Sequence, residues 1–232
     1  MHYAIVLSGG IGLRLGYEKP KQYLEIENKP IIGYCLDVFQ NADCIDRIVI
    51  VIAKEWEKLV RTYIDNNGIT KFISFATAGE SRQQSVLSGL EAIRSIGGKP
   101  DDLIAIHDAA RPCVSSHTIQ KCFEMLEHYD MSMPVISVKD TVYYSENGVE
   151  ISSLLNRDKL YAGQTPEGCH LGEYYTLNAS LSKEDLSNIR GTSELGYRNG
   201  LTVGLFQGEE TNIKITTKED LARFVQILGD CK

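Results

Sequence analysis

The residues best placed to do chemistry begin near the amino terminus, in Leu7-Ser8-Gly9-Gly10-Ile11-Gly12-Leu13-Arg14-Leu15-Gly16. The apolar run from Tyr3 to Leu7 precedes them and reads as a buried strand. Glycines let the backbone come close to a ligand and leave amide N–H groups free to face phosphate oxygens. Arg14 follows within reach of the same place, and Lys19-Pro20-Lys21-Gln22-Tyr23-Leu24 adds two more cations. A strand, a glycine loop and clustered positive charge suit a polyphosphate. Two familiar glycine loops do not fit. The Walker pattern needs a lysine directly after a glycine, which this loop lacks. The dinucleotide fingerprint needs a glycine where Leu15 stands and an acid closing the second strand, where Lys54 stands. A glycine turn without a ligand is the alternative, and Arg14 and Lys21 weigh against it.

Three further segments carry polar groups at element ends. Ile106-His107-Asp108-Ala109-Ala110-Arg111-Pro112 follows a strand, so it lies at the same sheet edge as the glycine loop. Asp108 suits a divalent cation and Arg111 a phosphate, with a plain ion pair or turn as the alternative. Gly79-Glu80-Ser81-Arg82-Gln83-Gln84-Ser85-Val86 places Ser85 in the first turns of a helix, where its hydroxyl either meets a ribose or base or is simply solvated. In Asn212-Ile213-Lys214-Ile215-Thr216-Thr217, Thr217 and Asp220 are spaced almost as a capping box, and Lys214 is expected on a strand just before.

The elements that must position these groups alternate. Strands are expected at Arg47–Ile52, Lys71–Ala76, Leu103–His107 and Met133–Val138. Helices are expected at Pro30–Phe39, Glu55–Asn66, Ser81–Ser95 and His117–His128. Such alternation predicts an α/β fold, Rossmann-like and doubly wound, with a mainly parallel sheet covered on both faces. Ligands of such sheets bind beyond the carboxyl ends of the strands. Lys139–Leu155 differs. Thr141–Tyr144 and Val149–Ile151 flank Glu146-Asn147-Gly148, and Asn-Gly between alternating apolar residues signals a hairpin. With little core of its own, it reads as a protruding dimerisation arm or as an exposed excursion.

The 232 residues are expected to form one domain, and 43% hydrophobic with 24% charged residues fits a globular protein. A net charge of −7 argues against a general nucleic-acid binder, so phosphate-binding charge must be local. Met1-His2-Tyr3 carries no Lys or Arg and no small-residue cleavage site follows, so no signal peptide is expected. No apolar stretch approaches membrane-spanning length. Cys35, Cys44, Cys113, Cys122, Cys169 and Cys231 are scattered without Cys-x-x-Cys spacing, which predicts free thiols in a cytoplasmic protein.

Taken together, the glycine loop with Pro20-Lys21-Gln22, His107–Pro112, Gln164-Thr165-Pro166 and Asn212-Ile213-Lys214 resemble the cytidylyltransferases of methylerythritol phosphate and ribitol phosphate. The resemblance runs from Tyr3 to about Val225. It implies attack of a substrate phosphate on the α-phosphorus of CTP, with pyrophosphate leaving and a CDP-alcohol forming. It makes Arg14, Lys21 and Lys214 the catalytic cations. It assigns to CTP the residues Leu7, Ser8, Gly9, Gly10, Gly12, Gly79, Arg82, Ser85, Asp108 and Ala109, with Mg2+ on Asp108. The polyol phosphate falls to Arg111, Thr141, Arg157, Arg190 and Lys214, with Arg157 reaching across a homodimer. Tyr161–Pro166, Ile213–Thr217 and Ser8-Gly9-Gly10 look like the ribitol branch, whereas His107–Cys113 looks like the methylerythritol branch. The leading substrate is therefore ribitol 5-phosphate, with 2-C-methyl-D-erythritol 4-phosphate as the alternative. The chain departs from the pattern at Arg190-Gly191-Thr192-Ser193-Glu194, where the family usually has Thr-Asp, another acid and Ala before a helix. A hexose-phosphate nucleotidyltransferase is disfavoured by His107–Pro112. A non-catalytic nucleotide-binding module would have no need to retain Arg14, Lys21, Asp108, Arg157 and Lys214 together.

Overall fold

The computed structural model describes residues 1–10 and 19–230, so the expectations for Gly12 and Arg14 fall outside it. Eight strands build the main sheet: β1 (His2–Leu7), β2 (Arg47–Ile52), β3 (Phe72–Thr77), β4 (Leu103–Asp108), β5 (Met131–Ser137), β6 (Tyr161–Gly163), β7 (Glu167–His170) and β8 (Val203–Gln207). The central strands run β4-β1-β2-β3 and are all parallel. Tyr3 and Ile5 face one layer while Ala4 and Val6 face the other, so β1 is apolar on both sides, as a strand covered by helices must be. On one face lie α1 (Ile31–Asn41), α2 (Glu57–Asn67) and α4 (Ser116–Glu124). On the other lie α3 (Arg82–Ser95), α5 (Leu171–Ala179) and α7 (Thr192–Arg198). The short α6 (Lys183–Asn188) contributes buried Leu186, and α8 (Lys218–Asp230) packs Phe224 with Ile31 and Ile215 in a smaller cluster.

The sheet is mixed beyond β4. There β7 pairs antiparallel with both β4 and β5, β6 pairs antiparallel with β5, and β8 runs parallel to β5. Thus β6 and β7 are two halves of one return strand, interrupted by Gln164, Thr165 and Pro166, with a cis Thr165–Pro166 bond. Among the described residues no helix is long and apolar enough to cross a membrane.

Three expectations change. Lys214 lies in irregular chain rather than on a strand, anchored where Ile215 N donates to Ala110 O at 2.8 Å. The helix expected over His117–His128 stops at Glu124 and tightens into a 3-10 turn, Met125–Glu127. The arm pairs Tyr143–Tyr144 with Ser153–Leu154, not with Val149–Ile151. The reason is local. Asn147 Oδ1 accepts from the amides of Val149 and Glu150, and the Ser145 and Ser152 hydroxyls accept from Gly148 N and Glu146 N. These side chains compete with the ladder for backbone donors and open an eight-residue loop.

Candidate active site

A cleft of about 700 Å3 opens at the carboxyl ends of the parallel strands. The ladder itself delivers its walls. Leu7 and Asp108 are register partners at the ends of β1 and β4. Beyond them Ser8 N donates to Val51 O at 2.7 Å, Ala109 N to Leu7 O at 3.0 Å, and Ala78 N to Ile52 O at 3.0 Å. Gly9 must be a glycine here, because a Cβ would collide with Ala78, and Gly79 likewise, because a Cβ would lie 2.9 Å from Gln84 C. Gly10 meets nothing within 4 Å and stands open.

The Pro-Lys-Gln-Tyr segment holds the glycine loop by side chains that sequence reasoning left without a role. Gln22 Nε2 donates to Ser8 O at 2.8 Å and Gly10 O at 2.7 Å, while the Tyr23 and Ser8 hydroxyls bond at 2.9 Å. Tyr23 is buried, which pushes its hydroxyl up to about 12 and keeps it protonated. With Gln22 and Tyr23 turned to the loop, Lys21 between Pro20 and Gln22 lines the cleft.

Opposite stands a chain of alternating charges. Lys214 Nζ is 2.6 Å from Asp108 Oδ2, Arg82 Nε is 3.3 Å from Asp108 Oδ1, and Arg82 Nη2 is 3.1 Å from Glu167 Oε1. Burial would raise the Asp108 carboxyl, but Arg82 and Lys214 outweigh it and hold the group well below the usual carboxylate range. Arg82 is likewise kept charged against its own burial by Asp108 and Glu167. The Asp108–Arg111 pair weighed from sequence does not form. Arg111 instead donates to Asn212 O at 2.7 Å and Gly163 O at 3.3 Å, stapling the Lys214 segment to β6.

The Gln164-Thr165-Pro166 and Asn212-Ile213-Lys214 motifs form one scaffold. Gln164 Nε2 donates to Glu209 O at 2.8 Å, and Asn212 Nδ2 to Thr165 O at 2.9 Å. Thr165 Oγ1 accepts from Asp108 N at 3.1 Å and bonds His107 Nδ1 at 3.1 Å. His107 Nε2 faces Arg111 O at 3.0 Å. Fully buried, His107 is pushed down to about 4 and stays neutral, with both ring nitrogens engaged, so it braces the site and is no general base.

Of the residues singled out from sequence, Leu7, Gly9, Gly10, Lys21, Gly79, Arg82, Ser85, Asp108 and Lys214 line the cleft. Ser85 Oγ accepts from Gly79 N and donates to Ser81 O, both at 3.0 Å, so it also fixes the turn. Ser8 and Ala109 are buried behind the wall, and it is Ala110 that reaches the cleft. Thr141, Arg157 and Arg190 are exposed and do not line it in the single chain. Arg157 Nη1 donates to Lys139 O at 3.0 Å at the arm's base, and Arg190 N donates to Glu194. Glu167 and Thr192, beside Arg82, were not singled out as ligand contacts. Their only sequence signal is adjacency to Pro166 and to the Arg190-Gly191 departure. A second groove, of about 900 Å3 beside Arg94, Pro100 and Tyr175, holds none of these groups.

A cleft at the carboxyl edge of a parallel sheet, walled by a glycine loop and lysine and arginine side chains, defines a nucleotidyltransferase of the α/β class. The chain belongs to the 2-C-methyl-D-erythritol 4-phosphate cytidylyltransferase (IspD) family, whose profile matches residues 2–230. It is 29% identical over 227 residues to a ribitol-5-phosphate cytidylyltransferase of Streptococcus agalactiae, covering 97% of this chain and 94% of the relative. It is 33% identical over 218 residues to a 2-C-methyl-D-erythritol 4-phosphate cytidylyltransferase of Clostridium beijerinckii, covering 94% of each. Its fold superposes on the 4-diphosphocytidyl-2C-methyl-D-erythritol synthase of Anaerococcus prevotii with a TM-score of 0.82, at 26% identity and 99% and 96% coverage.

Proposed function

We propose that the protein transfers CMP from CTP to a polyol phosphate, with ribitol 5-phosphate the leading substrate. The observation that carries this reading is the convergence of Lys21, Arg82, Lys214 and Asp108 on the cleft edge where Gly9 and Gly10 open. A monoester phosphate oxygen is already largely ionised at neutral pH, so it needs no base to attack the α-phosphorus. The new P–O bond forms as the bond to pyrophosphate breaks. What the reaction needs is neutralisation of two polyanions and of charge growing on the α-phosphoryl and leaving groups. Lys21 and Lys214, with Arg14, supply that charge, and Arg82 and Ser85 orient the nucleotide.

Magnesium fits the donor set in a limited way. Asp108 offers one carboxylate to the cleft, and one carboxylate with substrate phosphate oxygens is an ordinary magnesium environment. No cluster of three or more His, Cys, Asp or Glu suited to a metal occurs among the described residues, so the nucleotide would complete the shell. When bound, the cation neutralises phosphate charge beside Lys214.

The working unit in this reading is a homodimer. The arm exposes Val149, Ile151 and Leu154, more than half their surface each, which a second copy would cover. Arg157, just beyond the arm, then serves the neighbour's polyol phosphate, with Thr141, Arg111 and Arg190 as further candidates. Cys35, Cys44, Cys122 and Cys169 are free thiols, in keeping with a cytoplasmic setting. The second substrate reading, 2-C-methyl-D-erythritol 4-phosphate, rests on His107–Cys113 and the 33% identical relative. Pyrophosphate release and CDP-alcohol formation from CTP, measured against a panel of polyol phosphates, separate the two. Turnover with no member of the panel would refute both.

A further inference from the structure

We propose that Glu167, on the return strand β7, is a positioning residue for nucleotide binding that holds Arg82 and the start of α7. This rests on the reading of the cleft as a CTP site. Glu167 brings a carboxylate to the start of α7, where Thr192 and Ser193 stand. Glu167 Oε2 accepts from Ser193 N and from Ser193 Oγ, each at 2.7 Å. Glu167 Oε1 accepts from Arg82 Nη2 at 3.1 Å and from Thr192 N at 3.3 Å. Arg82 Nη1 donates to Thr192 Oγ1 at 2.8 Å, so the guanidinium is held at three nitrogens, by Asp108, Thr192 and Glu167. A planar fork fixed at three points is oriented before its ligand arrives.

The arrangement also divides labour between the two acids. Asp108 faces both Lys214 and Arg82. With Glu167 carrying Arg82, the row Lys214, Asp108, Arg82, Glu167 is balanced charge for charge, and Asp108 remains disposed toward Lys214 and the cleft. Neutralising Glu167 would leave a surplus cation in a largely buried place and draw Asp108 toward Arg82. The Glu167 side chain is only 6% exposed, a costly site for a carboxylate unless every lone pair is used, as these four contacts do. Register fixes the placement: Glu167 pairs with Ile106, two residues before Asp108 on β4.

The test moves the charge. Glu167→Gln, Ser193→Asp and the double variant are compared with the unaltered protein for CTP dissociation constant, KM for CTP against kcat, and Tm. Glu167→Gln is expected to weaken CTP binding at least about tenfold, the effect of losing one charged hydrogen bond. Ser193→Asp alone sets two carboxylates against each other and also lowers Tm. The double variant restores one carboxylate to the same spot and is expected to bind CTP better than either single variant. A double variant no better than Glu167→Gln overturns the proposal, as does Glu167→Gln that loses Tm while binding CTP normally. If the unaltered protein binds no CTP, the nucleotide reading fails, and with it the positioning role. The Tm cycle then still reports the charge exchange between 167 and 193, by recovery in the double variant or its absence.

Discussion

Lys214 Nζ lies 2.6 Å from Asp108 Oδ2, although 106 positions separate the two residues in the chain. This pairing joins the candidate magnesium carboxylate to a candidate catalytic cation. Asp108→Asn is expected to raise the magnesium concentration needed for half-maximal turnover while the protein stays folded, because one charged ligand oxygen becomes neutral. A magnesium titration unchanged by the substitution would confine Asp108 to holding Lys214 and Arg82.

Arg14 lies within the glycine-rich stretch of the sequence, and Lys21 follows it seven positions on. Replacing either by Ala is expected to lower kcat by roughly a hundredfold or more, the scale of one preorganised charge contact to a transition state. The far-ultraviolet circular dichroism should not change, since neither belongs to an apolar face. Near-normal turnover in Lys21→Ala would remove it from the mechanism.

His107 makes stability depend on pH. Its folded pKa is about 4 against an ordinary 6.5, because burial opposes the charge. Between these values the unfolded chain takes up a proton that the folded chain refuses, so the stabilisation present above pH 6.5 is lost as pH falls toward 4. From pH 7 to 5 this amounts to about 2 kcal/mol, or roughly 5 °C in Tm. Melting curves of the magnesium-free protein and of His107→Gln test it. The variant should start lower and show a flatter slope, and equal slopes would assign the pH dependence elsewhere.

The arm prediction concerns assembly. Arg157→Ala and Lys21→Ala chains, each inactive alone, should regain activity when mixed if Arg157 serves the neighbouring site. One site of the mixed dimer receives both wild-type residues and the other neither. About a quarter of all sites would be intact at equal, freely exchanged amounts, with distant sites additive. A verified heterodimer without activity would return Arg157 to its own chain and leave Arg190 the stronger candidate for the substrate phosphate.

Much of the molecule follows from local pattern. The apolar runs at Tyr3–Leu7, Arg47–Ile52 and Leu103–His107 mark buried parallel strands because both faces must be covered. Ser81 caps α3 by accepting from Gln84 N, and the Thr217 hydroxyl accepts from Asp220 N, as short-range spacing predicts. Gly9, Gly79, Arg82 and Asp108 reach one cleft because each ends a strand or lies a few residues beyond one at the same edge, while Lys21 is brought there by Gln22 and Tyr23 bonding Ser8 and Gly10.

What the sequence by itself determined, then, is the alternation of strands and helices from β1 to β5 and the edge at which chemistry collects, since both depend on neighbours within a few residues. Partners across the chain were decided only by tertiary structure. Asp108 takes Lys214 and Arg82 rather than Arg111, three residues away, because Arg111 is drawn to the carbonyls of Asn212 and Gly163. Glu167 faces Ser193 and Arg82 because β7 enters antiparallel beside β4 at one register, and no local signal encodes that register. The arm's pairing was likewise settled by Asn147, Ser145 and Ser152 binding nearby amides more readily than a ladder could.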